Sequence, residues 1–370
     1  EMTGRDTRPD EAFIRLQMGR RAVRSDRERA RQMYAQSLAL YRALGDRWGA
    51  TNALSGLAAV AWNLGNYDEA QELHEESLAN HRALGDPRGT ANSLSSLGFT
   101  ALHQGRLEEA ERLIQESIAI RQETGDMFGL ADGLRNLGMT SLAQGKFSQA
   151  RSLLKKSLAL FGDLGFRYSL ETAMVGAAEI HLGRYEQAHT LAQRGLDISR
   201  ETGFRRGRGF SLILLGELAL VSKDYAAARS LLRESVVLYR EIGQREKLSR
   251  AYADLGRAAL GLGDTRLARR HLCQALQTAT QIQAFLSTML ALTATAFLLA
   301  ERGQRERAVE LYVLASRYPY VGNSRWFEDV FGRHIAAVAA TLPLDVVAAA
   351  QARGRRAREP GAMAAELLQE

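Results

Sequence analysis

Cysteine is almost missing: the 370 residues hold one, Cys273, so no disulfide can form within the chain. It falls inside a helical pattern and is read as a packing residue. Proline is scarce, at five, which leaves long stretches free to be helical. No secretory leader is present, and with no disulfide the expected compartment is the cytoplasm. One run alone approaches membrane character. Ala284 to Ala300 carries no charge over 17 residues, the lower edge for a spanning helix. It includes Ser287, Thr288, Thr293 and Thr295 and keeps the register described below, so it is expected to be buried in protein.

Catalytic chemistry is missing too. Gly138 to Lys146 has six residues between its glycines where a phosphate-binding loop needs four, and Phe147 stands where Ser or Thr belongs. No HExxH and no G-x-S-x-G occur. The seven histidines are scattered, and His74 and His81 are too far apart to chelate one ion unaided. Glu108 and Glu109 suit a helix start. Neither an enzyme, a metal nor a cofactor is expected. The net charge is +7, with arginines gathered at Arg20, Arg21, Arg24, Arg27, Arg29 and Arg31, at Arg205, Arg206 and Arg208, and at Arg353, Arg355, Arg356 and Arg358. No aromatic residues interleave with them, so they read as solvated faces and nucleic acid is not an expected partner.

What the chain does have is a period. Alanine recurs at Ala30, Ala70, Ala110, Ala150, Ala188, Ala228, Ala268 and Ala308, always 40 apart except for 38 between Ala150 and Ala188. Each sits in the second of two helices. In the clearest copy the first helix is expected over 89–103 and the second over 108–123. Gly125 would end the second in left-handed backbone, and Asp126 would cap the next start. A Leu-Gly pair recurs in the first helix, at Leu97-Gly98, Leu137-Gly138, Leu215-Gly216 and Leu255-Gly256. Seven residues after the alanine stand Ser77, Ser117, Ser157, Gly195, Ser235 and Ala275, small enough to let two helices approach closely. Such a period predicts an all-α fold, a right-handed α-solenoid of about eight helix-turn-helix repeats over 10–316.

The pattern L-G-x₆-G-x-[YF]-x-x-A resembles tetratricopeptide repeats. The 40-residue form is similar to the repeats of kinesin light chains, of LGN-type adaptors and of the sensor regions of bacterial STAND-class signal-transduction ATPases. The run from Arg302-Gly303 through Pro319, Trp326, Leu342-Pro343 and Ala352 to Arg355 also resembles the C-terminal end of such regulators. The resemblance implies a non-catalytic surface that takes a protein or peptide in its concave groove. It implies either a sensor joined to an N-terminal ATPase domain of the same polypeptide or a free-standing adaptor bridging two proteins, with a peptide-signal receptor as a third reading. Glu1 is not a natural start, which suits the first. Carried over repeat by repeat, the groove residues are Asn52, Ser55, Trp62 and Asn63; Asn92, Ser95, Phe99 and His103; Asp132, Arg135, Asn136 and Met139; Leu170 and His181; Phe210 and Glu217; and Arg250, Asp254 and Arg257. Asn52 and Asn92 share a column, and with Asn136 form a carboxamide ladder suited to a peptide backbone. Trp62 and Phe99 are the apolar anchors.

The ends depart from the plan. Residues 1–9 read as a linker. The first repeat has a helix over 10–24 and a turn at Ser25-Asp26-Arg27 in place of Gly-x-Tyr. Its basic, irregular character suits a face that docks something upstream. Phe166 and Phe204 replace the aspartate of the earlier loops, marking either a local repacking or a bend that meets ligand. Beyond 316, a helix over 326–341, a short one over 344–352 ended by Gly354, and a last one over 362–368 are expected to cap the open end of the stack.

Overall fold

The computed structural model describes residues 6–23, 26–166, 168–357 and 359–369. Glu1, Arg24, Ser25 and Arg358 therefore lie outside the described residues. The chain forms two compact units that divide between Gly133 and Leu134.

The first unit holds helices α1 (Arg8–Ala22), α2 (Arg27–Ala43), α3 (Arg47–Leu64), α4 (Tyr67–Ala83), α5 (Pro87–His103) and α6 (Leu107–Glu123). Helix α7 (Met127–Ala143) carries the division. The second unit continues with α8 (Phe147–Asp163), α9 (Ser169–His181), α10 (Tyr185–Thr202), α11 (Arg205–Val221), α12 (Tyr225–Ile242), α13 (Arg245–Gly261), α14 (Thr265–Gln281), α15 (Phe285–Glu301) and α16 (Arg305–Ser316). Within each unit successive helices pack on one another, α1 to α6 in the first and α8 to α16 in the second, as the all-α solenoid that the period predicts requires.

The repeat residues explain this packing. All eight anchor alanines are fully buried. A Cβ on Gly98, Gly138, Gly216 or Gly256 would meet the side chain of Ile114, Leu154, Leu232 or Leu272 at 2.6–2.7 Å. Each glycine of the first helix thus receives the apolar residue four after the alanine. The small residue of the second helix does more than make room. Ser117 donates to the Ala91 carbonyl at 2.7 Å and Ser235 to the Gly209 carbonyl at 3.0 Å. In the seventh repeat, where Ala275 stands, the hydroxyl comes from the other helix: Ser249 donates to the Ala275 carbonyl. Gly125 has φ 67°, and Asp126 accepts from the Gly129 amide at 2.9 Å, as the loop sequence predicts.

Several expectations need correction. Helix α1 begins at Arg8, ahead of the expected start at Asp10. Cys273 is exposed, because its position on α14 turns away from the core. Gly354 does not end a helix: α20 (Leu344–Arg356) runs through it. Glycine is needed there because a Cβ would strike the Glu310 carbonyl and, at 2.9 Å, Val313 of α16. Helix α15, the uncharged run, is buried inside the second unit, and Thr288, Thr293 and Thr295 return their hydroxyls to its own carbonyls. No described helix is long and apolar enough to cross a membrane.

The residues after α16 split into two parts. Helix α20 packs on α16, and α21 (Pro360–Leu367) packs on α14 and α15, so these two cap the stack. The part before them, α17 (Pro319–Gly322), α18 (Arg325–Phe327), a π-helical turn (Glu328–Gly332) and α19 (Arg333–Ala339), does not simply cover the end. It turns back along the first-helix face of the second unit.

Candidate functional site

The sequence-assigned groove residues fall into two groups, one in each unit.

In the first unit a cavity of about 260 Å³ opens on α3, α4 and α5. Its lining includes Ser55, Trp62, Asn63, Asn92 and Phe99 from the carried-over set, together with Ala59, His74, Ser93 and Ser96. No ionised side chain lines it. Trp62 lies 5.1 Å from both the Phe99 and His103 rings and 6.0 Å from Tyr67. Its indole N–H is shielded from solvent and has no acceptor among the described residues. A buried donor without a partner costs about 1–3 kcal/mol, so an acceptor from a bound molecule would be favoured there. His74 is 6% exposed, and burial lowers its pKa to about 4, so it is neutral at pH 7.

The carboxamides are not a free ladder. Asn52 and Asn63 donate to carbonyls of their own helix, Trp48 at 3.0 Å and Ala59 at 2.7 Å. The Asn92 side-chain oxygen accepts from Arg121 at 2.9 Å. Asn52 and Ser95 are not part of the cavity wall, and Ser95 is buried. Asp132 approaches Arg121 at 4.0 Å. His74 was missed because histidine gave no metal pattern. A signal was present: it stands four after Ala70, where Ile114, Leu154, Leu232 and Leu272 stand in other repeats. A polar residue in an apolar column marks a local change of purpose.

In the second unit the face is occupied. Residues 319–331 run along it in the same order as the repeats. The Pro319 carbonyl abuts Gly145, and Asn323 donates to the Gly145 carbonyl at 3.4 Å. Ser324 pairs with His181 at 2.7 Å. Tyr185 donates to Asp329 at 2.6 Å. The Trp326 indole donates to the Glu217 carbonyl at 3.2 Å, and Arg257 donates to the Val330 carbonyl at 3.4 Å. Phe331 meets Phe297 at 6.3 Å. Trp326, Phe327 and Phe331 are almost wholly buried. His181, Phe210, Glu217, Asp254 and Arg257 are each less than a tenth exposed. Arg250 is held by Glu217 at 2.5 Å. Burial raises the Glu217 carboxyl against the pull of Arg250; burial and the Glu217 charge raise Asp254 well above the usual range. Arg135 pairs with Glu171 at 3.1 Å, Asn136 is buried, and Met139 and Leu170 pack against the core. Phe166 and Phe204 stand about half exposed; Phe204 is the N-cap of α11 and makes no side-chain cap, whereas Phe166 precedes α9, whose N-cap is Tyr168.

Gly145 offers a direct check. Its φ is 69°, and a Cβ there would collide with the Pro319 carbonyl. Gly263 has φ 78° with nothing within 4 Å. Gly145→Ala is expected to destabilise the second unit by about 1–3 kcal/mol more than Gly263→Ala. Equal effects in urea titrations would mean that Pro319 does not lie against this turn.

A stack of two-helix repeats with a neutral cavity on its first-helix face is a helical-repeat protein-binding scaffold. The tetratricopeptide repeat model matches residues 49–123, 89–163 and 208–281. Together these span 49–163 and 208–281, or 189 of the 370 residues, and the chain belongs to the tetratricopeptide repeat family. No curated protein matches it in sequence. Similar solved structures include the apo form of RapI, at TM-score 0.60 and 12% identity, covering 74% of this chain and 99% of that one. Another is the Rap conjugation gene regulator of plasmid pLS20 in complex with the Phr* peptide, at TM-score 0.61 and 11% identity, covering 76% and 79%. A third is a STAND protein with a tetratricopeptide repeat sensor from Pyrococcus horikoshii, at TM-score 0.52 and 16% identity. That match covers 88% of this chain and half of the other. At these identities the likeness is one of fold.

Proposed function

We propose that this chain is the ligand-sensing region of a STAND-type ATPase regulator and that its ligand is a peptide or protein segment held in the cavity of the first unit. The observation that carries the reading is the occupied face of the second unit. There an irregular stretch of polypeptide is held by indole and backbone hydrogen bonds at successive repeats. The positions holding it have counterparts in the first unit. His181 stands seven residues before its anchor alanine, as do Asn63 and His103; Glu217 and Arg257 stand eleven before theirs, as do Ala59 and Phe99. In the first unit these columns line or border the cavity. The neutral lining suits a peptide backbone and apolar side chains, and Phr* bound to the pLS20 Rap supports the reading by analogy of fold. The cytoplasm is the proposed compartment, and the chain has no proposed catalysis of its own.

An ATPase domain preceding the repeats would meet α1, which exposes Phe13 and Ile14 at 55% and Met18 at 37%. An antibody against this chain, used on a blot of the source cells, tests that part. A band well above 40.8 kDa is expected. A band near 41 kDa would leave the free-standing adaptor as the reading.

The ligand site is tested by selecting peptides from a displayed random library against the whole chain. Trp62→Ala with Asn92→Ala is expected to weaken the selected peptides at least tenfold, as a central aromatic anchor does. Losing the ring contacts of Trp62 and the Asn92 acceptor of Arg121 is expected to cost about 1–3 kcal/mol of stability without unfolding the unit. Equal binding by wild type and variant, or collapse of the fold, would refute the assignment.

A further inference from the structure

A second cavity, about 580 Å³, lies in the second unit between the turn after α11 and the returning C-terminal segment. At its wall sits Arg257, only 6% exposed. Its guanidinium carbon is 4.0 Å from the Phe297 ring centroid and 5.1 Å from that of Tyr225. Its hydrogen bonds are long and go to neutral oxygens, the Val330 carbonyl at 3.4 Å and the Tyr225 hydroxyl at 3.3 Å. Among the described residues no carboxylate lies within ion-pair distance of it. Arg250, whose side chain is 14% exposed, has Glu217.

The acids on this wall are Asp329 and Glu301. Asp329 accepts from Tyr185 and pairs with Arg325 at 3.0 Å and Arg333 at 2.9 Å. Glu301 faces His334 at 3.0 Å; burial lowers the pKa of that imidazole, so the contact leaves the Glu301 charge in place at the rim. Arg257 and the exposed Lys223 have no carboxylate partner among the described residues and, against the one charge of Glu301, leave the wall with a positive surplus. Lys223 has φ 61° and occupies the turn position where Gly183, Gly263 and Gly303 stand in neighbouring repeats. A side chain is thus carried at a strained backbone position beside a cavity.

Burying a guanidinium without a counter-ion is costly. Two cation–π contacts offset only part of that cost. An oxyanion on the open side would complete the balance, and the planar fork of arginine suits its two oxygens. We propose that this cavity binds a small organic molecule through a carboxylate or phosphate group, with Arg257 as the main contact and Lys223 as the second. The volume exceeds that of a bare ion, and the rings of Tyr225 and Phe297 provide a surface for an organic body. Val330, Arg333 and His334 of the returning segment share the wall, so an occupant would also fasten that segment to the repeats.

The test is calorimetric titration of the full chain with inorganic phosphate and, separately, succinate, at fixed ionic strength against a chloride control. Saturable binding of one probe is expected, phosphate marking a phosphate ligand and succinate a carboxylate. Arg257→Gln should weaken it about tenfold or more. Because Arg257 also packs between rings, Lys223→Gln on the exposed turn is the second variant, expected to weaken binding about threefold with an unchanged melting temperature. No saturation with either probe, or binding that survives both substitutions, would overturn the proposal. Neither outcome bears on the cavity of the first unit.

Discussion

Trp326→Ala is expected to destabilise residues 134–370 by about 3–5 kcal/mol, the cost of emptying a buried aromatic site. The side chain is 2% exposed. It stands edge-on to Phe327 at 4.9 Å and to Phe331 at 5.6 Å, and faces His181 at 6.4 Å. Its loss also leaves the Glu217 carbonyl without its indole donor. Denaturant-dependent hydrogen exchange across α9 to α15 would measure the change. Trp48→Ala is the control: that residue is 62% exposed, and the change should stay within about 0.5 kcal/mol. A loss below about 1 kcal/mol for Trp326→Ala would mean that the returning segment contributes little to the unit.

The first unit is expected to weaken by about 3 kcal/mol as pH falls from 7 to 4, and His74→Leu should abolish that part of the slope. Burial lowers the folded pKa of His74 from 6.5 to about 4. The unfolded chain therefore takes up the proton first. The stability is fully present above about pH 6.5 and is lost progressively towards pH 4. Leucine is the residue of this column at Leu154, Leu232 and Leu272, so the variant should fold well at neutral pH. The measurement is a urea titration at several pH values, read by hydrogen exchange in α3 to α6. Parallel pH profiles for wild type and variant would mean that His74 is hydrated in the folded state.

Much of the cavity in the first unit was legible in the sequence. Ser55, Trp62, Asn63, Asn92 and Phe99 came from the groove columns that the tetratricopeptide resemblance implies, and all five line the cavity. His74, Ser93 and Ser96 did not. Ser93 and Ser96 adjoin assigned positions, but His74 reaches the cavity from the second helix, where the register predicts core. Of the carboxamides, Asn63 and Asn92 line the cavity and Asn52 does not, and their hydrogen bonds are already committed, to helix carbonyls for Asn52 and Asn63 and to Arg121 for Asn92. Periodicity says which way a side chain points and nothing about who meets it.

The sequence by itself determined the local plan: helix ends at Asp126 and Gly125, close approach at Gly98 and Ser117, and a buried alanine every repeat. These are set by contacts within one repeat or with the next, so they are written in spacings of a few residues. Only the tertiary structure decided that His181, Glu217 and Arg257 look onto residues 319–331 and not onto solvent. Ser324 lies 143 residues from His181, and Trp326 lies 109 from Glu217. No period spans such distances. The meeting depends on the stacked repeats first building the face and on a cluster of aromatic side chains finding it, which chain order alone does not encode.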